Sequence, residues 1–372
     1  MNEWKAGLEG IVAARTALSE IDGVRGRLSV RGYPMAELAP AATFEETFHL
    51  LWRGELPTAA ECVCLGNDLS RHRSLPSLTV GVLRQSAQQK LSPIEALRLG
   101  IDTLGISDDD DESALRLIAA TPAIVAAYWR LMQGHDIVES PADLGIAAGF
   151  LFMLRGGPPS ETAVRCLETY LNTMSDHGLN ASTFTARVIL STRSDLKSAI
   201  VGALDALKGP VHGGAPQPAL EMLQRIGTPG NARQHLQDIL NRGERIMGFG
   251  HREYRVRDPR AQILSDAAAR LSAADGGHPL YLLALEVEEI ATRLLDQAKP
   301  GRDLKTNAEF YTAALLHQLG IEPELFTSVF AISRMAGWLA HCREQRQVDR
   351  IFRPTSEYVG PGHREWTPVD ER

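Results

Sequence analysis

Along most of the chain, apolar residues return at steps of three and four, the period of a helix with one buried face. In FTSVFAISRMAGWLAHCREQ (326–345) the apolar positions Phe326, Val329, Phe330, Ala336 and Ala340 follow that period. In TAVRCLETYLNTM (162–174), Val164, Leu167, Leu171 and Met174 do the same. LIAATPAIVAAYW (117–129) is uncharged and shorter than the roughly 20 residues a bilayer span needs, so it predicts a buried helix. Strand-like alternation is scarce. Its best candidate is GRLSVRGYPM (26–35), which predicts a small hairpin. There is no internal repeat and no low-complexity tract, and the prediction is an overwhelmingly helical protein.

Glycine and proline punctuate the helices most strongly at KGPVHGGAPQP (208–218) and AKPGRD (298–303). A chain that leaves one domain at the first site and returns at the second carries a smaller domain inserted in a larger one. The expected division is 1–213 with 321–372 as the large domain and 214–320 as the small one. The one acidic run, SDDDDES (107–113), reads as the first turn of the next helix, where the dipole favours negative charge; a metal site there is the lesser alternative.

Composition narrows the function. The formal net charge is −7, with 44% hydrophobic and 23% charged residues. That balance fits a soluble globular protein and argues against a broad nucleic-acid surface, which needs a basic face. Cys62, Cys64, Cys166 and Cys342 form no CxxC pair. The polar start MNEWKAGLEG lacks an apolar signal core. Reduced thiols and a cytoplasmic location are therefore expected, with no membrane and no nucleic-acid partner.

Against this acidic background, GFGHREYRVRDPR (248–260) gathers Arg252, Arg255, Arg257 and Arg260 beside His251. Asp258-Pro259 is a helix start, which puts Arg260 in a first turn where free N–H groups also attract anions. Arginine suits carboxylates and phosphates because its planar fork donates two parallel bonds. The segment predicts a small anionic ligand; salt bridges in a solvated basic turn are the alternative. Its GFG lacks the third glycine and the preceding strand of a dinucleotide fingerprint.

Among the 11 histidines, His177, His212 and His251 are singled out; each touches glycine, which lets a ligand approach the backbone. They lie in SDHGLNASTFTARV (175–188), KGPVHGGAPQPALEML (208–223) and the segment above, and a zinc site built from the three has no HExxH or Cys/His spacing behind it. In KTNAEFYTAALLHQLGI (305–321), Glu309 is the lone acid among apolar and aromatic residues. Desolvation there would raise its basicity; read alone, it is an ordinary helix-surface glutamate.

Taken together and in order, these four stretches resemble the citrate synthase family. GLEGIVAARTALSEIDG (7–23), LLWRGELPT (50–58), FAISRMAGW and IFRPTSEYVGP extend the likeness over nearly the whole chain. The resemblance implies an all-α, two-domain homodimer whose small domain closes over the substrates. It implies condensation of acetyl-CoA with oxaloacetate and hydrolysis of the thioester to citrate and CoA, with no tightly bound cofactor and no metal. Propionyl-CoA, giving 2-methylcitrate, is the runner-up, and a weakly active protein that binds CoA or dicarboxylates is a third reading.

The resemblance also implies roles. Glu309 falls where the family has the base that deprotonates the acetyl methyl. His212 falls at the thioester carbonyl and His251 at the oxaloacetate ketone. His177, Arg260 and Arg334 match oxaloacetate-binding positions, and Arg353 an arginine that reaches the partner subunit's site. Arg255 matches a CoA-phosphate contact, while Gly248, Phe249 and Gly250 lie where the family's loop meets the adenine. Two positions depart from the family: Glu309 stands for its usual aspartate, and Gly178 for the glutamate that commonly follows the first histidine.

Overall fold

The computed structural model describes residues 4–214, 216–274 and 276–372. A small sheet comes first, with strands β1 (Ser19–Asp22), β2 (Arg27–Val30) and β3 (Tyr33–Pro34). Ten helices follow: α1 (Met35–Ala41), α2 (Phe44–Arg53), α3 (Ala59–His72), α4 (Ser77–Gln88), α5 (Pro93–Asp102), α6 (Asp110–Met132), α7 (Ile146–Arg155), α8 (Glu161–Met174), α9 (Ala181–Leu190) and α10 (Leu196–Leu207). The segment 214–320 holds α11 (Pro216–Ile226), α12 (Pro229–Asn241), α13 (Pro259–Ala274), α14 (Pro279–Ala298) and α15 (Ala308–Gln318), and α16 (Phe326–Val348) returns through the core. The all-α expectation holds.

The predicted hairpin is present as β2–β3. Val30 pairs with Tyr33 across Arg31 and Gly32, whose φ values of 50° and 85° suit a two-residue turn with the twist of the strands. The sequence reading missed β1, which pairs antiparallel with β2 from Ser19↔Val30 to Asp22↔Arg27. The β1–β2 turn braces a distant loop. A Cβ on Gly23 would stand 2.0 Å from the Glu253 carbonyl oxygen, and Arg255 N–H donates to the Gly23 carbonyl at 2.9 Å.

Helix α16 is buried on nearly every side, with α2, α5, α6, α8, α9 and α10 packed around it. A helix apolar on all faces can only be a core helix or a membrane span. That choice arises for α6, which at 23 residues is longer than its apolar run and long enough, by length and composition, to cross a bilayer. Here residues 117–128 are all buried inside the protein against α3, α4, α5, α7 and α16, so α6 is a core helix. Its start is the acidic run: Asp109 accepts from the Asp111 N–H at 2.8 Å, Asp110 pairs with Arg346, and Asp111 with Arg53 and Arg343.

Helices α11, α12 and α14 pack on one another, and α11 and α14 also on α15. Helix α13 packs on α15 and also on α8 and α1. It therefore brings the loop before it, 248–258, against the loop that follows α8.

Candidate active site

The loop 248–258 is stitched to the segment leading into α15. Phe249 and Thr306 form a β-bridge, Gly250 N–H donates to the Lys305 carbonyl at 2.7 Å, and Asn307 N–H donates to the Gly248 carbonyl at 2.9 Å. Asn307 Nδ2 also donates to the Gly250 carbonyl at 2.9 Å, while its Oδ1 caps α15 by accepting from Glu309 N–H at 3.1 Å. The glycines are required: Gly248 has φ of 82°, and a Cβ there would lie 2.7 Å from Phe310 Cβ. Phe249 packs its ring on Phe310, with centroids 5.3 Å apart. One asparagine thus holds both the loop carrying His251 and the helical turn carrying Glu309.

Asp258-Pro259 starts α13 as the sequence predicted, and the buried Asp258 does more than cap. It accepts from Arg260 at its backbone N–H (3.0 Å), Nε (3.1 Å) and Nη2 (2.8 Å), and from Ala308 N–H at 3.2 Å. Burial lowers the Arg260 pKa, but the Asp258 carboxylate outweighs it and holds the guanidinium charged. Burial likewise raises Asp258, and Arg260 more than offsets it. His251 Nδ1 accepts from the Glu253 and Tyr254 N–H groups at 3.0 and 3.2 Å, which leaves the ring proton of a neutral imidazole on Nε2. Burial, and then Arg260 with its Nη2 at 3.2 Å, push the His251 pKa down to about 4.

His177 lies edge-on to His251, with centroids 5.6 Å apart, and its Nε2 is 3.1 Å from the Tyr254 hydroxyl. Burial first, then Arg260 and Arg334, drive its pKa well below the ordinary histidine value. Gly178, with φ of 58°, gives its N–H to Ser19 Oγ at 3.0 Å. Support for His177 comes from the residue before it. Buried Asp176 accepts from Ser19 Oγ at 2.6 Å and contacts His341 Nε2 at 3.1 Å, and His341 Nδ1 in turn meets the buried Arg187 at 3.0 Å. Helix α16 approaches this loop so closely that a Cβ on Gly337 would stand 2.4 Å from the Ser175 carbonyl oxygen. Gly337→Ala is therefore expected to cost about 1–3 kcal/mol in urea unfolding. An unchanged midpoint would mean that the loop yields freely.

Arg334, on α16, is buried, and its Nε donates to the Met174 carbonyl at 2.8 Å. Its guanidinium stands over Phe330 at 4.8 Å, and among the described residues it has no ion-pair partner. Burial lowers its pKa to about 10, with Asp176 pulling the other way and Arg260 adding repulsion. His212 sits in the turn after α10 with Nε2 2.8 Å from Ser182 Oγ, which also lies 2.8 Å from Asn180 Oδ1 and receives Trp338 Nε1–H at 3.1 Å. Burial, and then Arg334, bring the His212 pKa to about 4.

Glu309 completes the cluster, and the helix-surface alternative fails. Its Oε2 is buried without a hydrogen-bond partner among the described residues. Burial raises its pKa to about 7, Asp258 adds to the rise, and Arg260 and Arg334 oppose it. The arrangement is thus two buried guanidiniums, three neutral imidazoles and one carboxylate that is half-charged near neutrality. It can hold a dianion, donate to developing oxyanions and take up one proton.

Not every candidate joins this cluster. Arg255 is exposed, and so is Arg353, just past Phe352, whose ring packs on Phe184 at 5.4 Å. Arg257 makes a two-pronged pair with Glu288 at 2.6 and 3.1 Å, while Arg252 reaches only Glu9 at 3.9 Å. For these two, the salt-bridge reading of the basic turn holds. Sequence reasoning passed over Tyr254, Asp258 as a partner of Arg260, Ser182 and Asp176. All four stand within the quoted histidine segments, but their roles depend on contacts made across the fold.

A citrate synthase C-terminal domain model matches residues 7–355. This chain belongs to the citrate synthase family. It is 39% identical to the citrate synthase of Haloferax volcanii, over 100% of this chain and 99% of that protein. It is equally 39% identical to the 2-methylcitrate synthase of Shewanella oneidensis, over 99% and 98% of the two chains. The structure superposes with a TM-score of 0.90 on citrate synthase from Thermoplasma acidophilum, solved as a ternary complex of carboxymethyl coenzyme A and oxaloacetate, at 29% identity and 100% coverage of both chains. As a family member the chain is an enzyme of the condensing, transferase type.

Proposed function

We propose that the enzyme condenses acetyl-CoA with oxaloacetate and water to give citrate and CoA. The observation that carries this is the unpartnered Glu309 Oε2 beside Arg260 and Arg334, with every nearby imidazole held neutral. Arg260 and Arg334 meet the two oxaloacetate carboxylates and His177 lines their pocket. Glu309 takes a proton from the acetyl methyl. As the thioester oxygen gains charge, His212 donates to it. The nucleophilic carbon forms a bond to the oxaloacetate ketone carbon, whose oxygen His251 Nε2–H stabilises. Water then hydrolyses the thioester bond. Each preorganised donor supplies roughly 3 kcal/mol of barrier lowering.

CoA binding is assigned to Arg255 and the Gly248–Phe249–Gly250 turn. The segment 214–320 acts as a small domain closing on 1–213 and 321–372, with 209–214 and Pro300-Gly301 as hinges, and closure excludes water until condensation is complete. The enzyme works as a homodimer in which Arg353 serves the partner's site. Support for this is the exposed C-terminal segment, which carries Tyr358, Val359 and Trp366 in the open.

Thiol release from acetyl-CoA in the presence of oxaloacetate tests the reading, and folded protein that releases none above background overturns it. Propionyl-CoA is the second reading, motivated by the Shewanella relative. One methylene is worth about 1–3 kcal/mol of discrimination. The ratio of kcat/KM for the two thioesters is expected to favour acetyl-CoA, and a ratio favouring propionyl-CoA reassigns the substrate.

A further inference from the structure

Tyr254 contacts three residues of the site and has no role assigned above. Its side chain is buried between His177 and His251, with ring centroids 5.6 and 4.8 Å away, and the Arg260 guanidinium stands 6.0 Å over its face. Its hydroxyl is 3.1 Å from His177 Nε2, and its main-chain N–H donates to His251 Nδ1 at 3.2 Å. Backbone and side chain of one residue thus engage one nitrogen of each histidine.

The protons follow from the chemistry of the partners. A buried phenol must place its single O–H proton, and the only acceptor bonded to it among the described residues is His177 Nε2. Phenol is a good donor and imidazole nitrogen a strong acceptor, so the proton points from Tyr254 to Nε2. The backbone of His177 itself favours a proton on the ring, and with Nε2 taken by the phenol the place left for that proton is Nδ1. His177 is therefore protonated at Nδ1. In His251 the two backbone donors occupy Nδ1, and the proton lies on Nε2.

We propose that Tyr254 is a positioning residue that sets opposite neutral tautomers in the two histidines of the dicarboxylate pocket. His177 is locked as a neutral wall with its lone pair occupied, which leaves the dianion to Arg260 and Arg334. His251 is locked with its one N–H directed away from its own backbone, on the nitrogen that stands 3.2 Å from Arg260 Nη2, so that a ligand oxygen there meets both donors. Without the phenol, His177 has an unsatisfied buried acceptor and shifts its proton or its ring.

Tautomers are read in ligand-free, wild-type protein labelled with 15N-histidine, from two-bond 1H–15N correlations. Signals are assigned by their loss in His177→Gln and His251→Gln. The expected result is Nδ1–H for His177 and Nε2–H for His251, and an Nε2–H tautomer at His177 overturns the proposal with no Tyr254 variant needed. In Tyr254→Phe, which keeps the ring, the His177 pattern is expected to move toward Nε2–H while that of His251 stays. KM for oxaloacetate is expected to rise about tenfold with kcat within about threefold, as for one buried acceptor left unpaired. An unchanged pattern and unchanged KM also overturn it. Only the kinetic arm rests on the proposed condensation: wild-type protein that turns over no acyl-CoA with oxaloacetate sinks that reading, while the tautomer signals still decide the role of Tyr254.

Discussion

Glu309→Gln is expected to lower kcat by roughly 10²–10⁴-fold with oxaloacetate affinity nearly intact, the size of effect that general-base loss produces. The amide keeps the shape and cannot take the methyl proton. Glu309→Asp, which keeps the charge but withdraws it by about 1 Å, falls between the two. Wild-type kcat/KM follows the ionised carboxylate. With a pKa of about 7, activity climbs as pH rises, levels off above that value, and drops toward tenfold per unit below it.

The same shift has a stability sign. The folded state holds the Glu309 proton up to about pH 7, while the unfolded chain releases it near the ordinary 4.5. Ionisation therefore costs the folded state stability progressively as pH rises through that window, by about 1–3 kcal/mol once complete, allowing for the accessible part of the residue. At pH 8, Glu309→Gln is expected to melt at a higher temperature than wild type while nearly inactive. Full activity in Glu309→Gln would remove the glutamate from the reaction, and a lower melting temperature at pH 8 would contradict its being a strained buried charge.

Asp258→Ala is expected to cost about 3–5 kcal/mol, because it leaves the buried Arg260 guanidinium without its carboxylate and Ala308 N–H without an acceptor. Thermal melts should fall by on the order of 5–10 °C. The double change Asp258→Ala with Arg260→Leu removes the stranded charge and should recover much of that loss, though oxaloacetate binding stays poor. If single and double variants melt alike, the pair is not what holds the 258–260 corner.

Several elements could be read before any coordinates. The periodic run at 326–345 became α16, Asp258-Pro259 began α13, and the acidic run opened α6. Each depends on neighbours within a few residues, where helical period, proline and dipole act. β1 escaped notice because SEID has no alternating apolar face of its own; its pairing partner supplies the strand. Glu309 looked like a surface residue by the same limitation. Its apolar neighbours were visible, but the loss of every partner for Oε2 required α15, the 248–258 loop and α16 to close around it.

The order of residues alone settles which chemical groups are present and which local turns carry them: glycines that free the backbone at His177, His212 and His251, arginines gathered at 252–260, and one carboxylate in an apolar helix. Packing gave those groups their states. It divided the arginines, pairing Arg257 with Glu288 and locking Arg260 on Asp258, while Arg334 has no ion-pair partner among the described residues. It made the histidines neutral and brought the Glu309 pKa to about 7. Charge state follows from desolvation and from neighbours far apart in the chain, and those exist only once the helices have packed.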